Sequence, residues 1–201
     1  MAYQERTFTL PDLDGLSKAS IDAHLGLYAG YVKNCNQLED TLGVLRADAE
    51  KNTHAIAELT RRLPFEWNGM RMHEYYFAQF EHQAAALDHD GALGLALAEQ
   101  FESVETWEKQ FRAVGAMRGP GWAVLYFDPN TKTFENIWVA EHHLGHLAGL
   151  PIILALDVWE HAFLLDYGTT ARGKYIDACF KNYNWSVMEE RFAAATHTHE
   201  A

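Results

Sequence analysis

The stretch GWAVLYFDPNTKTFENIWVA, Gly121 to Ala140, decides the fold class, because it interrupts an otherwise helical chain. Trp122, Val124 and Tyr126 alternate with Ala123, Leu125 and Phe127 in a wholly apolar run, Asp128-Pro129-Asn130 supplies a turn, and Thr133 to Ala140 continues as a second strand. The stretch therefore reads as a β-hairpin. Beyond it, the apolar run Ile152 to Leu156 is short enough for a third, buried strand.

On the N-terminal side, Ile21, Leu25, Tyr28, Val32, Cys35, Leu38, Leu42 and Leu45 recur every three or four positions, as in one long amphipathic helix with Ser17 as its N-cap. A shorter helical pattern, Ile56 to Leu63, is expected to stop at Pro64. Asn68-Gly69 then punctuates the chain before another helical stretch from about Met70 to Leu87. The first ninety residues read as an antiparallel helical hairpin. After the turn-rich His89-Asp90-Gly91, helices are expected over Gly94 to Glu99 and Ser103 to Met117. From Trp159 the helical period returns, broken at Gly168 and Gly173, and the residues around His197 and His199 read as a loose tail.

Composition narrows the function. The chain has 201 residues, 48% of them hydrophobic and 22% charged, enough for a packed interior. Sixteen Lys and Arg against 28 Asp and Glu give a net charge of -12, which argues against a nucleic-acid partner. The start MAYQERTF lacks the pattern of a secretory leader, and the longest run without Asp, Glu, Lys or Arg, His142 to Leu156, is broken by His and Pro, so no membrane span is expected. With only Cys35 and Cys179, no disulfide framework is expected, and a cytoplasmic setting is.

Eleven His make metal or proton chemistry worth seeking. Asp157 and His161 are four apart and would project to one side of a helix beginning at Trp159. His24 lies in the apolar stripe of the long helix, and His73 follows the Asn68-Gly69 pair. Either could be an ordinary core histidine. Together the four would give three imidazoles and one carboxylate, a set suited to iron or manganese, although spacing alone does not make them converge.

The run LDVWEHA, Leu156 to Ala162, followed by Arg172, Tyr175 and NYNW (Asn182 to Trp185), resembles the C-terminal signature of the iron/manganese superoxide dismutases. The resemblance extends to GPGWAVLYFD (Gly119 to Asp128), FESVETWEKQF (Phe101 to Phe111), FEWNGMRMH (Phe65 to His73) and LPDLDGLSKASIDAH (Leu10 to His24), nearly the whole chain. It implies an α+β fold, with an N-terminal helical-hairpin domain (1–90) followed by an α/β domain (91–201) carrying a three-stranded antiparallel sheet. One iron or manganese ion per chain would be held between them by His24, His73, Asp157 and His161. The implied reaction converts superoxide to dioxygen and hydrogen peroxide. The resemblance further implies that His142, with His143 as the alternative, tunes the metal by hydrogen bonding, that Trp122 and Trp159 wall the site, and that Arg172 lies near the access funnel. It also implies a homodimer or homotetramer in which Glu160 reaches the metal-bound His161 of the other subunit.

Three departures from the family stand out. The family places a Tyr eight residues after its first ligand, with a His between them at the funnel mouth. Here Tyr31 follows His24 by seven, and Tyr28 occupies the funnel position. At about 100° per residue, seven residues return to the face of His24, so a regular helix is expected where relatives bulge. Leu164 replaces the Tyr that usually bonds across the dimer to the missing His, and a re-formed interface with Tyr28 packing on Leu164 is expected. Phe77 where a Trp is usual and Pro120 in the Gly119 to Gly121 turn are expected to affect packing more than chemistry. Two other readings remain at this point: a metal-binding relative that has lost or changed its activity and acts as a structural or interaction protein, and a zinc hydrolase, for which no acid is placed as general base. Because superoxide is an anion, the positive charges that matter are those at the funnel, with Arg172 first and Lys33 and Lys174 as helpers.

Overall fold

The computed structural model describes residues 2–197, so His199 lies outside the described residues. Helix α1 (Lys18–Arg46) starts at Ser17, whose hydroxyl accepts the Ser20 N–H at 3.1 Å. Its buried side, Ser20, His24, Tyr28, Val32, Cys35 and Leu42, is a single stripe, and no bulge interrupts it. It packs along α2 (Ala49–Ala78) in an antiparallel hairpin.

Three sequence expectations fail in α2. The helix runs unbroken for 30 residues through Pro64, and it ends at Ala78 rather than Leu87. Proline removes one backbone bond, and packing along α1 outweighs that loss. Nor does Gly69 make a turn. A Cβ built on it would lie 2.5 Å from Cδ1 of Tyr31, so the missing side chain is what admits the Tyr31 ring against α2.

Helices α3 (Ala92–Phe101) and α4 (Val104–Gly115, capped by Ser103) lead into strands β1 (Gly121–Asp128), β2 (Thr133–Ala140) and β3 (Ile152–Asp157). The sheet is antiparallel in the order β2-β1-β3. Central β1 is buried along nearly its whole length, which explains a sequence apolar on both faces. Its Trp122 pairs with Asp157 across the sheet, so the end of β3 is in register with the start of β1.

The expected helix at Trp159 does not form. Trp159 is extended, Glu160–Ala162 make one 3-10 turn, and α5 (Leu164–Tyr167) is four residues long. Gly168 ends α5 at φ 67°, but Gly173 lies inside α6 (Arg172–Asn182) and breaks nothing. Helix α7 (Trp185–His197) completes the described chain. Cys35 and Cys179 are buried free thiols, and no helix among the described residues is long and apolar enough to cross a membrane.

Candidate metal centre

Four elements bring His24 (α1), His73 (α2), Asp157 (the end of β3) and His161 (the 3-10 turn) to one point. Each offers one ligand atom, and these atoms lie within 4.8 Å of one another. Oδ2 of Asp157 is the hub, with Nε2 of His161 at 3.1 Å, of His24 at 3.2 Å and of His73 at 3.6 Å. Donors bonded to one ion at about 2.1 Å stand roughly 3 to 4 Å apart, and the three distances to Asp157 Oδ2 fall in that range.

Local bonds aim the donors. Asp157 Oδ1 accepts the Trp159 N–H at 2.8 Å, which turns Oδ2 inward. The Asp157 carbonyl accepts the Tyr175 hydroxyl at 2.7 Å, fixing the backbone behind it. His73 Nδ1 donates to the Gly69 carbonyl at 2.6 Å, which leaves the Nε2 lone pair free. That Nε2 is buried with no hydrogen-bond partner, the condition expected of an atom built to bind something else. Gly69 thus serves twice, by its carbonyl and by its missing side chain.

Charges follow the same plan. Burial holds the His24 and His73 imidazoles below their ordinary pKa, so both are neutral at neutral pH. Burial opposes ionisation of Asp157, but attraction and hydrogen bonds from His161 and His24 win and hold its carboxyl far below the usual carboxylate range. At His161 burial is likewise outweighed, here by the Asp157 charge, and the pKa rises. The donor set, imidazole with one carboxylate, fits iron or manganese.

Around this cluster the walls are aromatic. Trp122 stands edge-on to His73 at 5.2 Å, and Trp159 stacks on His161 at 5.8 Å and on His142 at 4.8 Å. Tyr31 lies against His73 at 5.1 Å, its hydroxyl 2.6 Å from His142 Nε2. Trp122 Nε1–H donates to His142 Nδ1 at 3.0 Å. Burial pushes the His142 pKa down to about 4, so the ring is neutral. With Nδ1 accepting, its proton sits on Nε2 and is donated to the Tyr31 oxygen, which frees the Tyr31 proton for another acceptor.

Of the alternatives His142 and His143, the structure turns His142 inward. His143 lies beside Phe65 at 5.6 Å and 3.9 Å from Glu141. Glu160 is exposed on the single chain, as are Lys33 and Lys174. The Arg172 guanidinium binds the carbonyls of Met117 and Gly119 and lies over Phe163. Within the chain, Tyr28 is held by the N-terminal segment and α2. Its hydroxyl accepts the Arg6 N–H at 2.8 Å and donates to Glu74 at 3.2 Å, and its ring packs on Phe8 and Phe77, while Leu164 stands 39% exposed at the start of α5. The N-terminal segment thus supplies a polar partner for the hydroxyl of a residue that is itself buried. Sequence reading passed over Phe65, whose ring touches Tyr31, His142, His143 and Trp159. It stands inside the quoted FEWNGMRMH run, which was its only signal.

Three imidazoles and one carboxylate at a buried point, between a helical hairpin and an antiparallel sheet, define a mononuclear metalloprotein of the iron or manganese kind. The chain belongs to the iron/manganese superoxide dismutase family. Residues 89–191 match the family described as iron/manganese superoxide dismutases, C-terminal domain. The iron superoxide dismutase of Cupriavidus metallidurans is 36% identical over 186 residues, covering 91% of each chain. That of Sulfolobus acidocaldarius is 33% identical, over 88% of this chain and 85% of its own. The manganese superoxide dismutase 1 of Halobacterium salinarum is 35% identical, over 86% and 84%.

Proposed function

We propose that this chain is a superoxide dismutase that holds one iron or manganese ion on His24, His73, Asp157 and His161. The observation that carries the reading is the convergence of three Nε2 atoms on Asp157 Oδ2, one of them buried and unpartnered. When bound, such an ion supplies one-electron redox chemistry between its +3 and +2 states, so that one superoxide is oxidised to dioxygen and a second reduced to peroxide. The remaining work belongs to the side chains. The Asp157 carboxylate contributes negative charge that favours the higher oxidation state. Trp122 and Trp159 keep water out. Reduction of the second superoxide consumes two protons, and the Tyr31 hydroxyl, relieved of its donor role by His142 Nε2–H, can present a proton to the pocket.

The chain divides, in this reading, near residue 90 into the hairpin (1–90) and the α/β domain (91–201). The partner is a second copy of the chain. The exposed carboxylate of Glu160 beside exposed Leu164 and Leu165 (63%) supports that face as a homodimer contact through Glu160 and His161. Arg172 steers the anionic substrate. A cytoplasmic setting agrees with two free thiols, and the net charge of -12 disfavours nucleic acid. The test is purified protein assayed for iron, manganese, zinc and superoxide removal. One iron or manganese per chain and one peroxide formed per two superoxide consumed are expected. Full occupancy by either metal without dismutation would refute the reading and favour a binding or structural role.

A further inference from the structure

We propose that His146 is a positioning residue for the site: bridged between Tyr126 and the His142 carbonyl, it holds His142 where its Nε2 meets Tyr31. The inference rests on the reading that the Tyr31 and His142 pair acts on the metal.

The loop that carries His142 is a tight turn. It is closed by Ala140 N–H to Leu144 O at 2.8 Å and Leu144 N–H to Ala140 O at 3.1 Å, with Glu141 at φ 52° and Gly145 at φ 100°. Backbone turns of this kind leave carbonyls to find other partners. The His142 carbonyl finds His146, whose Nε2–H donates to it at 2.9 Å. With Nε2 a donor, the neutral ring must accept at Nδ1, and the Tyr126 hydroxyl lies there at 2.6 Å. Each group from the Tyr126 hydroxyl through His146 to the His142 carbonyl therefore has one consistent role. The reverse tautomer would set a bare Nε2 lone pair against the carbonyl oxygen.

Strand β1 supplies both anchors. Trp122 and Tyr126 are four apart on it and face one side. Trp122 bonds the His142 ring at Nδ1, and Tyr126, through His146, bonds its backbone. Because Trp122 is also the cross-strand partner of Asp157, the same strand sets the distance between His142 and the metal ligands. Tyr126 and His146 touch none of the four ligands through these bonds, so their loss should act through His142 alone.

The experiment compares the metal-loaded protein with Tyr126→Phe, His146→Phe, His146→Gln and His142→Ala, reading the midpoint potential of the bound metal at equal metal content. His142→Ala is expected to shift the potential. Tyr126→Phe and His146→Phe should shift it in the same direction by a smaller amount, and His146→Gln, which retains an N–H able to reach the His142 carbonyl, should return it toward wild type. If His142→Ala shifts the potential and neither Tyr126→Phe nor His146→Phe does, the positioning role is overturned and the reading of His142 survives. No shift in His142→Ala overturns that reading and this inference together. Should His146→Phe fail to fold, Tyr126→Phe removes one oxygen atom and decides the matter. Nitrogen-15 NMR that puts the His146 proton on Nδ1 instead of Nε2 would equally contradict the proposal.

Discussion

The four metal ligands and the loop that carries His142 sit side by side, yet they are held by different physics. His24 and His73 stand on helices of 29 and 30 residues, and Asp157 ends a buried strand, so packing sets their positions and one or two bonds finish their aim. His142 stands in a turn with left-handed residues on either side, and side-chain hydrogen bonds from Trp122 and His146 do the work that packing does for the ligands. A packed frame tolerates the loss of a bond, whereas a bonded loop does not. Substitutions among the ligands should therefore abolish metal binding, and substitutions around the loop should leave metal in place and alter what it does.

The largest effect expected is from His73→Ala or Asp157→Ala. Metal content, measured by elemental analysis, should collapse, with activity falling about 100-fold or more; normal occupancy in either variant would break the contrast. Next comes Gly69→Val, which forces the Tyr31 ring off α2. Misplacement by about 1 Å should lower the catalytic rate roughly 10-fold or more while metal remains, and an unchanged rate would show that the Tyr31 hydroxyl does not matter.

How much of this was legible beforehand depends on the range of the interaction. Helix α1, its Ser17 cap and the hairpin at Asp128-Pro129-Asn130 are local, and periodicity and turn chemistry reveal them. Pro64 and Gly69 carry local signals for a break, but long-range contacts override both: pairing of α2 with α1 carries the helix through the exposed proline, and Tyr31 fills the space of the glycine. The bonds that hold Tyr28 are long-range as well, since Arg6 and Glu74 claim its hydroxyl. The ligand quartet was readable only as four candidates whose convergence spacing could not supply. Tyr126 and His146 gave no signal, since the bond that joins them spans twenty residues.

A smaller effect concerns pH. His142 is held neutral with its pKa down at about 4, against 6.5 in an unfolded chain. The unfolded state then binds the proton first, so this group's contribution is full above about pH 6.5 and is lost as pH falls toward 4. Between pH 7 and 5.5 the loss attributable to His142 is about 1 kcal/mol. Urea unfolding of wild type and His142→Gln at both pH values should show that difference, and parallel pH dependence would remove His142 from the account. Smallest is Arg172→Glu, expected to slow superoxide removal a few-fold at low salt and much less at high salt. Since the guanidinium is committed to two carbonyls, a rate equal to wild type at every ionic strength would make Arg172 a loop brace and no more.

Time-resolved superoxide decay with protein loaded separately with iron and with manganese tests the central claim most directly. The account predicts decay accelerated in proportion to the concentration of protein bearing at least one of the two metals, and no acceleration by Asp157→Ala. Fully loaded protein that leaves superoxide to decay at the rate of buffer alone, with either metal, would contradict it.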